Sequence, residues 1–197
     1  MLKRLFDLMI TIPMLLLVSP FLLIIALLIK LGSNGPVFYM QTRVGLNSRD
    51  FKIFKFRTMR LNADKAGLLT VGGRDPRVTP IGYFLRKYKL DELPQLLNVL
   101  NGSMSLVGPR PEVRKYVDLY SIEQQKVLIV KPGITDYASI EYSEENDLLA
   151  LSSDPEKTYI EDIMPAKLLL NQKYIDEISL LTDFKIILRT AVKIISH

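Results

Sequence analysis

The sequence predicts an α/β (α+β) chain in two parts. A re-entrant membrane helix over residues 1–31 precedes a compact, mostly helical cytosolic domain over 32–197, with a small β-hairpin or sheet and amphipathic interfacial helices. Three observations carry this expectation. Residues 8–29, LMITIPMLLLVSPFLLIIALLI, hold no charge and contain Ser19-Pro20 near their middle. Two runs rich in β-branched and aromatic residues flank the short connection LNSRD. The final segment sets apolar residues on one helical stripe and basic ones on the other.

The uncharged run would measure roughly 33 Å as a helix, against a hydrocarbon core of about 30 Å. Lys3 and Arg4 flank one end and Lys30 the other, and basic flanks mark the cytoplasmic side. Pro20 cannot donate to the carbonyl of Leu16, and its ring clashes there. The Ser19 hydroxyl can relieve part of that loss at the carbonyl of Leu15. A wedge that enters and leaves on one face fits these features. A signal peptide, a straight spanning anchor and a buried core helix are the competing readings; the first has a shorter apolar core and a small-residue cleavage site.

Gly32-Ser33-Asn34-Gly35-Pro36 ends the membrane helix. VFYMQTRVG and FKIFKFRTM then form the hairpin, with Lys55 and Arg57 two residues apart on one face, either as a ligand-binding pair or as a solvated strand edge. Residues 61–80, with Gly72-Gly73, read as a long loop. Helical stretches follow at 82–90 and 91–100, stopped by Gly102, and SLVGPRPEV at 105–113 reads as a stiff irregular turn. Residues 112–120 and 122–130 read as helical, 133–143 as a strand, and 165–181 as a helix opened by Pro165. In 182–197 the stripe is Phe184, Ile187, Leu188, Ala191, Ile194 and Ile195, opposite Lys185, Arg189 and Lys193. Such a helix lies on a membrane surface or packs on the protein's own core.

The chain has 197 residues, no cysteine and one histidine, at position 197. Disulfide and thiolate chemistry are excluded, and a histidine base is disfavoured. The net charge of +5 and pI of about 9.3 suit anionic headgroups or phosphorylated ligands. No P-loop, strand-linked dinucleotide fingerprint or aromatic-interleaved basic surface occurs, so nucleic acid is not an expected partner.

Asp91 and Glu92 are the sharpest chemical candidates. Two carboxylates beside a helix start can hold Mg²⁺ and face a phosphate, and a carboxylate can attack phosphorus. Capping also accounts for them, since Asp favours the N-cap and Glu the first turn. Arg110, between Pro109 and Pro111, is restrained for bidentate phosphate binding; Lys55, Arg57 and Arg86 are further cations.

KFRTM at 55–59, LDELPQLLNVLNGSMSLVGPRPE at 90–112 and KPGITDYA at 131–138, together with the Ser-Pro wedge, resemble the bacterial sugar transferase family, the monotopic phosphoglycosyl transferases. The resemblance spans nearly the whole chain and points to the minimal, single-domain type. It implies transfer of a sugar-1-phosphate from a UDP-sugar to undecaprenyl phosphate with release of UMP, the first membrane step of glycan assembly, on the cytosolic face of the inner membrane. Asp91 would be the nucleophile of a ping-pong reaction. Glu92 would assist and share the Mg²⁺ site, and Arg110 would bind the nucleotide. Lys55, Arg57 and Arg86 would hold phosphate charge, and Glu112 would support the turn. Asp136, where many relatives have a small residue, receives no role, and Lys131 stands where many have Trp. Membrane lipids are implied partners; downstream glycosyltransferases and a second copy of the chain are candidate ones.

Two alternatives differ in class. A silent membrane-anchored nucleotide-sugar scaffold would not need the Asp91 nucleophile. A phosphohydrolase would share the carboxylates but use water as acceptor.

Overall fold

In the computed structural model, which describes residues 1–63, 69–72 and 75–196, the uncharged run forms one helix, α1 (Leu2–Gly32). Pro13 and Pro20 lie inside it, and the helical backbone continues through both. The Ser19 hydroxyl donates to the carbonyl of Leu16 at 3.0 Å, not to that of Leu15. The acceptor is therefore the carbonyl that Pro20 leaves without its helical donor, so the serine repairs the proline's defect directly.

Both arms of α1 dock on the following domain. In the first, Asp7 is 3 % exposed and accepts from the Ser105 hydroxyl at 2.9 Å and the Leu106 amide at 3.2 Å. Lys3 donates to the buried Asp183 at 2.6 Å. In the second arm, Ile25 and Ile29 pack with Phe56 and Leu85. Between these anchors Leu16, Leu17, Phe21 and Leu23 are each at least 65 % exposed. With a mean hydropathy of 2.8 over its best window, α1 is long and apolar enough to cross a membrane.

Arg57 fixes the exit from α1 by donating to the carbonyls of Ser33 at 2.8 Å and Asn34 at 2.6 Å. Gly35 passes so close, at φ +126°, that a Cβ there would sit 1.9 Å from the guanidinium. The expected hairpin follows. Strands β1 (Phe38–Val44) and β2 (Asp50–Phe56) pair antiparallel, with Tyr39 opposite Lys55.

Helix α2 (Pro80–Lys87) starts at Thr79, whose hydroxyl accepts from the Gly82 amide at 3.1 Å. It does not run on toward residue 100. Lys89 adopts a left-handed conformation (φ 54°), a 3₁₀ turn covers Leu90–Glu92, and α3 (Gln95–Asn101) begins only after Pro94. Asp91 is therefore not an N-cap, and its side chain is left free of that duty. Asn98 ties α3 to β2, accepting from the Phe54 amide at 2.9 Å and donating to the Lys52 carbonyl at 2.8 Å.

The expected irregular turn at 105–113 opens with a strand, β3 (Ser105–Val107), paired in parallel with β4 (Gly133–Thr135). A Cβ on Gly133 would lie 2.1 Å from the Gly108 nitrogen, so glycine permits this approach. Residues 112–130 are less helical than their sequence suggests: α4 (Arg114–Val117) is one turn, and Gln124–Ile129 is 3₁₀. The expected strand at 133–143 ends at Thr135, because Asp136 caps α5 (Tyr137–Glu141) through the Ser139 amide at 2.6 Å.

Short helices α6 (Glu145–Ala150) and α7 (Pro155–Thr158) and a π turn at Tyr159–Ile163 lead into α8 (Met164–Asp176). The expected helix to residue 181 stops there, since Ser179 caps a new one, α9 (Leu180–Ile195), at the Thr182 amide. Helix α9 divides the predicted stripe. Ile187 turns inward with the fully buried Ile186 and Ile194 is half-buried, while Phe184, Leu188 and Ile195 face outward with Val192. Residues 64–68 and 73–74 of the expected 61–80 loop, including Gly73, and His197 lie outside the described residues.

Candidate active site

The 3₁₀ turn after α2, the end of β2 and the Pro109–Pro111 turn converge on a cavity of about 540 Å³. Lys55, Arg86, Asp91, Glu92, Arg110 and Glu112 line it, as do Ile10 and Met14 of α1 and Ile187 and Ala191 of α9. The charged cluster thus shares a cavity with an apolar wall contributed by the membrane-type helix.

Glu92 is fully engaged. Lys55 Nζ donates to its Oε1 at 2.8 Å, Arg110 Nη1 to its Oε2 at 3.0 Å, and Arg110 Nη2 also binds Oε1. Burial alone would push the Glu92 pKa up, but Arg110 and Lys55 outweigh it and hold the carboxyl well below its usual range. The same ion pair holds Arg110 more firmly protonated. Burial lowers the Lys55 pKa, against the pull of Glu92.

Asp91 is the contrasting neighbour. It is 8 % exposed and makes no hydrogen bond or ion pair with any described residue. Burial and then the Glu92 charge push its pKa up, opposed by Lys55, Arg86 and Lys89. A carboxylate that no described residue holds, set among cations at a cavity wall, is chemically available to an electrophile.

The remaining predicted residues separate. Arg86 lines the cavity, donating to the hydroxyls of Thr58 at 2.9 Å and Thr70 at 3.2 Å; burial lowers its pKa. Glu112 accepts from Arg43 at 2.8 Å, from the Val113 amide at 2.7 Å and from the Tyr159 hydroxyl, which braces the proline turn. Arg57 does not join the cluster. Strand β2 ends at Phe56, so the two-residue spacing from Lys55 no longer fixes a common face, and Arg57 is spent on the end of α1. Ser19 and Pro20 lie in α1, apart from the charged cluster.

Sequence reasoning missed Arg43, Asp136 and the Lys167–Glu145 pair at 2.5 Å. Arg43 sits within the hairpin like any strand charge, and only the fold brings it to Glu112. Asp136 carried a usable signal, a capping residue after Gly-Ile-Thr, which a strand assignment concealed.

Mg²⁺ fits this donor set in part. Asp91 offers a free carboxylate, and magnesium is commonly held by one or two carboxylates together with substrate phosphates. Glu92, with both oxygens taken by cations, does not offer a second ligand in this arrangement. Among the described residues no group of three or more acidic, His or Cys side chains forms a metal cage.

The whole chain, residues 1–197, matches the family model described as bacterial sugar transferase. It is 45 % identical over 141 residues to a UDP-N-acetylgalactosamine-undecaprenyl-phosphate N-acetylgalactosaminephosphotransferase of Aeromonas hydrophila, covering 70 % of this chain and 33 % of that protein. It is 39 % identical over 201 residues to the UDP-glucose:undecaprenyl-phosphate glucose-1-phosphate transferase of Escherichia coli K12, covering 98 % of this chain and 40 % of that one. To the exopolysaccharide production protein PSS of Rhizobium leguminosarum it is 39 % identical over 199 residues, covering 97 % and 94 %. The chain therefore spans a third to two fifths of the first two relatives and nearly all of the third. With the match running from end to end over the charged cavity and the apolar helix beside it, the chain belongs to the bacterial sugar transferase family.

Proposed function

We propose that the protein transfers a sugar-1-phosphate from a UDP-sugar to undecaprenyl phosphate, releasing UMP, with Asp91 as nucleophile. The observation that carries this is the asymmetry of the two carboxylates: Glu92 is locked by Lys55 and Arg110, whereas the Asp91 carboxylate, at the cavity wall, is bonded to none of the described residues. In the first step an Asp91 carboxylate oxygen attacks the phosphorus that bears the sugar. The bond from that phosphorus to the bridging oxygen breaks, and UMP leaves with the electron pair. In the second step a phosphate oxygen of the lipid attacks the same phosphorus, forming the diphosphate link and returning Asp91 as a carboxylate.

Lys55, Arg86 and Arg110 would stabilise the charge gathered by two phosphorylated substrates, in a site where part of the water is excluded. Mg²⁺, held by Asp91 with the diphosphate, would supply further stabilisation of the leaving phosphate. The lipid acceptor explains the apolar wall made by Ile10, Met14, Ile187 and Ala191.

The same reading assigns α1 as a re-entrant wedge in the cytosolic leaflet, with residues 32–197 as the cytosolic domain. Docking of both arms on that domain supports this, because a straight spanning rod would carry one end to the far side of the bilayer. The outward residues Phe184, Leu188 and Ile195 of α9 give a second contact at headgroup depth. The test is release of UMP from a panel of UDP-sugars with and without undecaprenyl phosphate, with the lipid product identified by mass. Appearance of free sugar phosphate or inorganic phosphate in place of a lipid diphosphate would point to hydrolysis, and binding without UMP release to a scaffold.

A further inference from the structure

Arg110 reaches the cavity from a turn between two prolines, whose backbone offers few groups by which to hold it. Pro109 and Pro111 have no N–H, so over residues 109–111 only Arg110 offers a backbone donor. The neighbouring strand holds the turn from one side. The Gly133 amide donates to the Pro109 carbonyl at 3.0 Å, and the Gly108 amide to the Thr135 carbonyl at 3.1 Å. Directly after that strand comes Asp136, which is 0 % exposed. One of its carboxylate oxygens accepts from the Arg110 amide at 3.1 Å and the other from the Ser139 amide at 2.6 Å. Ala138 and Ser139, on the helix Asp136 caps, line the cavity beside Arg110.

We propose that Asp136 is a positioning residue for Arg110: its two oxygens rivet the proline turn to the start of α5, setting where the guanidinium enters the cavity. A buried carboxylate that accepts two backbone amides is a rigid part, because losing either acceptor strands a buried donor. The position is informative as well, since a residue with one short arm and a single acceptor could serve the helix or the turn but not both. The inference rests on the transferase reading, in which Arg110 meets the diphosphate of the nucleotide sugar.

The test uses the full chain in detergent micelles with two variants. Asp136→Ser keeps a good N-cap for α5 but lacks the second acceptor. Asp136→Asn keeps the shape but turns an amide donor toward one of the two N–H groups. Each should raise KM for the UDP-sugar about tenfold and weaken UDP binding by calorimetry about as much, while KM for undecaprenyl phosphate changes less than twofold. In an Arg110→Ala background, Asp136→Ser should add less than a further twofold, because the group it positions is already gone. Unchanged UDP binding in both variants would overturn the inference. So would a parallel loss for both substrates, a full tenfold loss persisting without the Arg110 guanidinium, or failure of both variants to fold. Absence of UMP release by the unmodified protein would count against the transferase reading instead; UDP binding is read without turnover, so the two failures are distinct.

Discussion

Arg110 binds Glu92 through both terminal guanidinium nitrogens, whereas Asp91, one residue earlier, has no hydrogen-bond or ion-pair partner for its carboxylate among the described residues. Two adjacent acids are thereby driven apart. One is stabilised as an anion by cations, and the other is destabilised as an anion by burial and by its neighbour's charge. The fork matters as well as the charge. Arg110→Lys keeps a cation but loses the planar two-point grip, so kcat/KM for the UDP-sugar should fall at least tenfold, about 1.4 kcal/mol or more. Steady-state kinetics with both substrates varied will check it, and an unchanged kcat/KM would remove Arg110 from the site.

With Asp91 as the nucleophile proposed above, the pH dependence of turnover follows from its raised pKa. A nucleophile must be ionised, so activity should be lost as pH falls through the folded-state value. Because that value is raised, the acid limb should lie above the ordinary Asp range of about 3.9. Removing the neighbouring charge with Glu92→Gln takes away one cause of the upward shift. Its acid limb should move to lower pH even though its maximal rate falls. A limb that stays put or moves upward in the variant would mean that another group controls it.

Much of this site was legible in the sequence, and the failures have physical causes. Asp91, Glu92, Arg110 and Arg86 lie close along the chain or beside Pro and Gly, where local rules constrain the backbone strongly. The hairpin and its Lys55 followed from residue type and turn position. Arg57 misled because strand periodicity was carried one residue past the end of β2. Segment 133–143 misled for a related reason: Ile134, Tyr137 and Ile140 suit a strand, but a single capping carboxylate at Asp136 turns the chain into a helix. The parallel pairing of β3 with β4 joins residues almost thirty positions apart through a glycine contact, which no local pattern announces.

Ser19 and Pro20 together to Ala should restore an ordinary helical hydrogen bond at the Leu16 carbonyl and favour a straight α1. A straight helix would carry the N-terminus across the bilayer and pull Lys3 and Asp7 from Asp183 and Ser105. A cysteine introduced at residue 2 reports the outcome. It should resist membrane-impermeant labelling from outside in the unmodified helix and become labelled in the double variant. External labelling before any change to Ser19-Pro20 would rule out the re-entrant arrangement.

Asp91→Asn separates stability from chemistry. The folded-state pKa of Asp91 is raised above its unfolded value, so its ionised form costs stability, and the cost grows as pH rises through the unfolded value toward the folded one. Replacing the carboxylate by a neutral amide should therefore raise Tm at neutral pH while leaving it unchanged at pH values below both. Turnover should fall by roughly 10³-fold or more, as expected when a nucleophile is lost. The order of events gives the sharper readout. With UDP-sugar and Mg²⁺ but no lipid, the unmodified protein should release up to one UMP per site and gain the mass of a phosphosugar; Asp91→Asn should do neither. A direct displacement would need both substrates before any UMP appears. An active enzyme with neither the adduct nor the burst would therefore assign Asp91 to metal or base duty and leave the transfer itself intact.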